Sequence, residues 1–426
     1  MPGRDSLLVL LLIAVVLVQG CGDDEGPGPD ASAPAAVTDL SAVALSHNSV
    51  QLTWMAPGDN GSRGTANEYD IRYSTAAITA ANWDQAVGCT GEPAPQASGG
   101  SETFTVTGLA EGTPYYFAMK AADEVPNWSD ISNLASATTS AVTEYVFLKG
   151  WASHGAGDGE LTGPVDIALD GDGFAYVDDK GNQRIQKFTT DGLFVTKWGS
   201  YGSEEGQFDY AEGLAADADG NVYVADSNNH RVQKFASDGT FVKSWTQSGS
   251  GDGDIGYPCG VVSGPSNDLY VADWGNRIHR FTLDGNPLAA WGSAGSGDGE
   301  FDRPYGIAVD LDGNVYVNDW GHQRIQKFTS DGTFLLNWGS EGTGDGQFNS
   351  AYHIAVGPAG NVYVADSGNH RIQKFAPDGT FIAKFGSQGS LDGQLSHPLG
   401  VCVDASGNVY VADSANHRIQ VFAPAP

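Results

Sequence analysis

The chain is 426 residues long and carries 52 acidic against 21 basic residues, a formal net charge of −31. That length exceeds one ordinary domain, and so acidic a surface repels phosphate backbones, which sets nucleic acid aside as a partner. Glycine is abundant at 58 residues and long amphipathic helical patterns are missing, so turn-rich β structure is expected throughout.

At the N-terminus, Arg4 precedes an unbroken apolar run of twelve residues, LLVLLLIAVVLV (Leu7–Val18). A bilayer span needs about 20 apolar residues, so the run reads as the core of a signal peptide covering 1–20. The following VQGC, with Gly20 directly before Cys21, resembles a bacterial lipobox, although Val18 stands where leucine is commoner. The resemblance implies that Cys21 is acylated and becomes the mature N-terminus, anchoring the chain to a membrane in the cell envelope. Gly22 rather than aspartate follows it, which in the enteric sorting pattern implies the outer membrane. Residues 21–36 are acidic and rich in Pro, Gly and Ala, a composition that buries no core and predicts a flexible tether. Cys89, Cys259 and Cys402 fall in separate domains or repeats, which predicts isolated thiols rather than a disulfide framework.

Residues 37–140 alternate with period two: Val50, Leu52 and Trp54 share one face, as do Tyr69, Ile71 and Tyr73, then Phe104 and Val106. VQLTW followed by AP, and later LAEGTPYYFAMKAAD, resemble a fibronectin type III domain. The resemblance implies a β-sandwich with Trp54 in the core and a Tyr115 hydroxyl that pins the corner before a late strand. A spacer role is expected of it.

The remainder, 144–423, is a repeat array. The copies DDKGNQRIQKF, ADSNNHRVQKF, ADWGNRIHRF, NDWGHQRIQKF, ADSGNHRIQKF and ADSANHRIQVF place arginines at Arg184, Arg231, Arg277, Arg324, Arg371 and Arg418, at intervals of 47, 46, 47, 47 and 47 residues. The motif aspartates are Asp179, Asp226, Asp273, Asp319, Asp366 and Asp413. Each copy holds four short strand candidates joined by Gly-containing hairpin turns, which predicts six propeller blades. The copies closely resemble NHL repeats. The sixth copy ends without a fourth strand, while FLKGW (Phe147–Trp151) precedes the first copy with the spacing of FLLNW (Phe334–Trp338). That N-terminal strand is expected to complete the last blade and close the ring. The whole chain thus reads as all-β.

A motif present in every blade stabilises every blade. The aspartates and arginines are therefore expected to be structural, the short acids bonding their own turns and arginine reaching an acid or carbonyls of the neighbouring blade. Function is sought where copies differ, on the face shared by the motif loops and the long linkers. After the motif Asp, the third and fourth copies carry Trp274 and Trp320 where the others have Ser or Lys. Tyr257, Tyr305 and Tyr352 stand near the blade starts, so these five aromatics are candidate ligand-binding residues at the channel mouth, suited to a protein, peptide or glycan. The alternative is an enzyme, a metal-dependent lyase or hydrolase with His353, His397, Glu212 and Asp166 as candidate metal ligands at the channel. The propeller resembles that of peptidylglycine amidating lyases, which holds zinc through channel histidines, and the two histidines fall near such positions. Two histidines fall short of the usual three protein ligands, and the acidic linkers lack the aspartate ladder of a calcium loop. The expectation is a monomeric, lipid-anchored, non-enzymatic binding or scaffold protein with no cofactor, zinc or calcium being the alternatives. From Tyr145 onward, 17 Lys and Arg stand against 35 Asp and Glu, a net −18 with no basic face for RNA.

Overall fold

The computed structural model describes residues 32–61, 63–245 and 255–425; Cys21 and the expected signal peptide lie outside them. Among the described residues there is no α-helix. The chain divides into two compact units, an N-terminal one containing Leu52–Phe104 and Tyr116–Ala135 and a C-terminal one containing Ser136–Pro426.

The N-terminal domain is sandwich-like. One sheet orders Ser41–Ala44, Ser49–Met55 and Ser101–Thr107; the other orders Val87–Gly88, Glu68–Ser74, Pro114–Ala122 and Ala135–Thr138. Alternation buries Val50, Leu52 and Trp54, and the Trp54 ring meets Tyr69 edge-on at 5.4 Å. Glu102, on the strand with Val106, is also buried and accepts the Tyr69 hydroxyl at 2.8 Å, so that face is not wholly apolar. The Ala110 amide donates to the Tyr115 hydroxyl at 3.0 Å.

The C-terminal unit is a propeller of four-stranded antiparallel sheets, six among the described residues. The first runs Ile167–Leu169, Phe174–Asp179, Arg184–Thr189, Phe194–Trp198; the last pairs Pro398–Val403, Val409–Asp413 and Arg418–Pro424 with the N-terminal strand Tyr145–Trp151. Ile419 opposes Trp151 and Pro424 opposes Tyr145 across that closing ladder. Each innermost strand neighbours the next, and the sixth neighbours the first. A channel of ≈ 250 Å³ runs between them, lined by innermost strands of all six sheets.

Successive side chains of a strand point to opposite faces, and here both faces are covered. Ala175 and Val177 pack with Tyr410, Ala412 and Ile419 of the sixth sheet, whereas Tyr176 packs with Leu214, Val222 and Val224 of the second. The buried tyrosine hydroxyls are satisfied at the hairpin end: Tyr176 donates to Asp170 at 2.9 Å, and the same carboxylate accepts the Asp172 and Phe174 amides. At the outer edge, Gly192 (φ +85) lets a hairpin lie on the Trp151 ring; a Cβ there would come 2.6 Å from the indole. Any side chain would be doubly penalised, by the clash and by the left-handed backbone.

The repeated motif works differently from turn chemistry. Asp179 is fully buried and makes no cap bond to its own turn. One oxygen accepts the Thr162 amide of the incoming linker at 2.7 Å, and the other accepts Arg184 Nε at 2.6 Å. Asn182 donates to both oxygens of Asp179 and to the Gly155 carbonyl, so it too spans loop and linker. Arg184 in turn donates to the linker carbonyls of Ala156 (2.8 Å), Gly157 (2.8 Å) and Glu160 (2.9 Å). The pair recurs as Asp226–Arg231 (2.7 Å), Asp319–Arg324 (2.8 Å), Asp366–Arg371 (2.7 Å) and Asp413–Arg418 (2.8 Å). In the third repeat Asp273 instead accepts the Gly256 and Tyr257 amides of its linker and faces His279 at 3.4 Å, where the other copies have Gln. The expectation that the acids bond their own turns holds at Asp273, which also accepts the Gly275 amide of its own turn at 2.8 Å, and is corrected at Asp179, which makes no such bond: there the motif stitches the linker to the blade it enters. In an acidic chain with many glycines, this gives a glycine-rich linker a fixed path.

The residue before the arginine reaches onward to the next sheet. Gln183 Oε1 accepts the Tyr210 amide at 3.0 Å, His370 Nδ1 accepts the His397 amide at 3.2 Å, and His417 Nδ1 accepts the Gly163 amide at 2.9 Å. The two histidine contacts flank the sixth sheet, the one completed by the N-terminal strand. His370 lies beside His397 (ring centroids 4.6 Å) and His417 beside His154 (4.3 Å).

Two predictions follow from these contacts. Arg371→Met leaves Asp366 buried with its charge unmatched, and denaturant unfolding is expected to show a loss of about 3–5 kcal/mol; a loss within error would refute the stitching role. The second concerns acid. Burial, then the neighbouring histidine, lowers the pKa of both His370 and His417, against opposing pulls from Asp366 and Asp413 and from Asp179 and Asp413 respectively. A depressed folded pKa means stability that is complete above the unfolded value of about 6.5 and is lost as pH falls through the folded value. The melting temperature is expected to drop over that window, and the drop to shrink in His370→Gln/His417→Gln, which installs the residue that Gln183 provides elsewhere. An equal drop in both proteins would contradict the assignment.

Candidate functional site

The hairpin turns occupy one end of the sheets, and the motif loops and linkers the other. At that second end lies a cavity of ≈ 650 Å³ lined by Lys180, Tyr210, Glu212, Gly256, Tyr257, Trp274, Gly275, Tyr305, Tyr352 and Leu399. Every one of the six repeats contributes at least one of these residues.

Of the five aromatics singled out by divergence between copies, four line this cavity. Tyr257 meets Trp274 at 6.2 Å and 64°, Trp274 meets Tyr305 at 5.9 Å and 73°, and Tyr305 meets Tyr352 at 4.9 Å and 86°. The edge-to-face order is the favourable one for aromatic quadrupoles and sets the rings as walls rather than a flat platform. Trp320 is not among the lining residues. It lies tilted against Trp274 at 5.7 Å and 30° and 6.4 Å from Tyr352, with the Arg303 guanidinium 4.7 Å over its ring. Its role is support.

Of the four residues considered as metal ligands only His353 and Asp166 meet, and the described residues contain no group of three or more His, Cys, Asp or Glu side chains that could hold a metal ion. His397 sits against His370. His353 faces Asp166 at 3.5 Å where the channel begins, and its ring lies 5.1 Å from Tyr305. Asp166 is held by the Leu214 and Ile167 amides at 2.9 Å each, while burial raises its pKa. Glu212 belongs to the cavity instead: one oxygen takes Lys180 Nζ at 2.6 Å and the other accepts the Tyr305 hydroxyl. Burial first, then the Glu212 charge, pushes the Tyr257 pKa up to about 12 and raises that of Tyr305 well above its ordinary value, so both hydroxyls remain donors at neutral pH.

Lys180, Tyr210 and Leu399 were not among the sequence candidates. Their signals were present: Lys180 replaces the usual Ser after the motif Asp, and Tyr210 occupies the same repeat position as Tyr257. Cys89, Cys259 and Cys402 are all free thiols, and burial raises the Cys259 and Cys402 pKa values well above the ordinary range. Such thiols are poor nucleophiles.

The fibronectin type III family model matches residues 35–133, and the NHL repeat model matches 208–235, 301–328, 348–375 and 395–422. Among curated proteins, the chain is 35% identical over 122 residues to Calcium-activated chloride channel regulator 1 of Macaca mulatta, covering 27% of this chain and 13% of that protein. It is 35% identical over 126 residues to Chitinase A1 of Niallia circulans, covering 29% and 15%. The chain thus spans a small part of the length of either. A structural-genomics protein of unknown function from Bacteroides thetaiotaomicron shares the fold, with a TM-score of 0.62 at 17% identity over 93% of this chain and 99% of that one. The chain therefore carries a fibronectin type III domain followed by a propeller of NHL repeats.

Proposed function

We propose that the chain is a lipid-anchored binding protein of the cell envelope, whose propeller holds a protein, peptide or glycan partner in the aromatic cavity at the motif-loop face. One observation carries the reading. The residues shared by the repeats are consumed in stitching linkers to blades, whereas residues that differ between repeats line one open cavity of ≈ 650 Å³. That volume lies within the roughly 300–1,000 Å³ typical of ligand sites, and aromatic walls with a few polar groups are their usual lining. The anchor rests on the apolar run Leu7–Val18 and on Cys21 at the lipobox position. Several acyl chains, each buried CH₂ worth about 0.8 kcal/mol, would make the attachment effectively permanent.

Two experiments test the two halves separately. Cys21→Ser is expected to abolish incorporation of a labelled fatty acid and to move the protein from the membrane to the soluble fraction; unchanged labelling would refute lipidation there. On glycan and peptide arrays, Trp274→Ala is expected to lose the wild-type signal, since removing a central aromatic anchor typically costs 2 kcal/mol or more of binding. Undiminished binding would exclude the cavity.

A further inference from the structure

The charged side chains that line the cavity, Lys180 and Glu212, are paired with each other, and beside them the fully buried Asp178 has its pKa raised well above the ordinary carboxylate range by burial and then by the Glu212 charge. Lys180 and Glu212 pair at 2.6 Å, Arg303 and Asp302 at 2.9 Å, and below them His353 faces Asp166 at 3.5 Å. The two cations also rest on aromatic faces, Lys180 4.5 Å over Tyr210 and Arg303 4.7 Å over Trp320. A charged ligand entering here would lose its hydration and meet no unmatched counter-charge among the lining residues, a penalty of several kcal/mol per ion. The net charge of −31 adds a long-range barrier to anions.

A neutral, hydroxyl-rich ligand meets the opposite conditions. The Lys180 ammonium has donors beyond the one given to Glu212, and the Glu212 carboxylate has lone pairs beyond those taken by Lys180 and Tyr305. Hydrogen bonds to charged groups contribute about 1.5–3 kcal/mol each, and hydroxyls can take them without a desolvated charge of their own. Tyr257, Trp274 and Tyr352 are partly exposed and offer apolar walls to the C–H faces of a ring. The wall arrangement encloses a small ligand or the end of a longer chain and does not offer the broad flat surface that a folded partner covers.

We propose that the cavity binds a neutral glycan of one to a few sugar rings, with Trp274 stacking on a ring face and the Lys180–Glu212 pair hydrogen-bonding its hydroxyls. This rests on the reading of the cavity as the binding site and adds that Lys180 and Glu212 select the class of ligand.

Tryptophan-fluorescence titration of the full chain in detergent tests it, with neutral cello-, chito- and malto-oligosaccharides, an oligogalacturonate, tetramethylammonium and an arginine-containing peptide as probes. At least one neutral series is expected to saturate the signal, with an affinity little changed between about 50 and 500 mM salt. Binding is expected to fall roughly tenfold or more in Glu212→Gln and to vanish in Trp274→Ala. The double variant Lys180→Met/Glu212→Gln removes both members of the pair together, so its loss of binding with an unchanged melting curve separates recognition from folding. Saturation by the charged probes alone, lost in Trp274→Ala, would overturn the glycan while leaving the cavity as a binding site. Sugar binding that survives Trp274→Ala would overturn both. No response to any neutral sugar would overturn the glycan assignment.

Discussion

The buried pairing of a motif aspartate with the arginine opposite it, as in Asp366 and Arg371 at 2.7 Å, is the constraint on which the propeller depends. A four-stranded sheet can satisfy its own ladder, but the linker between sheets is rich in glycine and has no ladder to follow. Arg371 gathers the Thr343, Gly344 and Gln347 carbonyls, and Asp366 takes the Asn349 amide, so one ion pair fixes the linker at four points. Buried ion pairs are weak evidence for net stability, since desolvation offsets much of the attraction. Their contribution here is geometric: they determine where each linker crosses the channel mouth and so where its side chains stand.

With the linkers fixed, the positions flanking them become a display surface. Each repeat places the residue after its motif Asp, and the residues starting its innermost strand, at the same end of the channel. In most proteins a site is assembled from loops of unlike conformation. In this one five of the six motif loops share one 3-10 turn, the third being a residue shorter and without it, and side chains vary over that frame: Lys180, Trp274 and Trp320 at one position, and Glu212, Cys259, Tyr305 and Tyr352 at another. The asymmetry of the cavity is written into residue choice and into the shortened loop that carries Trp274. Four of its five aromatics gather in the third to fifth repeats, the fifth, Tyr210, belongs to the second, and its ion pair joins the first to the second.

The repeat frame was legible from sequence because its period and its strand alternation are local properties. The closing strand was legible too, since Phe147 and Trp151 keep the spacing of Phe334 and Trp338. Partners were harder to read. The carbonyls bonded by Arg184 lie 24 to 28 residues upstream, and no residue type marks a carbonyl as an acceptor. The aspartates look like turn formers because Asp commonly bonds its own backbone, and at Asp170 it does; at Asp179 burial against the linker gives the carboxylate better donors. Residue type also suggested that His353, His397 and Glu212 might share a centre, but register separates them onto His370, Asp166 and Lys180. Trp320 had the right repeat position and still lies against Trp274 rather than among the lining residues.

The central claim is that shared residues build the scaffold while divergent residues do the binding. The most direct measurement takes melting temperature and partner retention together on two proteins. One reverts Trp274 and Trp320 to the serine used by other repeats, and the second carries Arg371→Lys, which keeps the charge but loses the planar fork. The serine protein is expected to lose retention with a small thermal shift, whereas the lysine protein is expected to melt at a clearly lower temperature yet retain its partner while folded. A serine protein that melts earlier than the lysine protein and still holds its partner would contradict it.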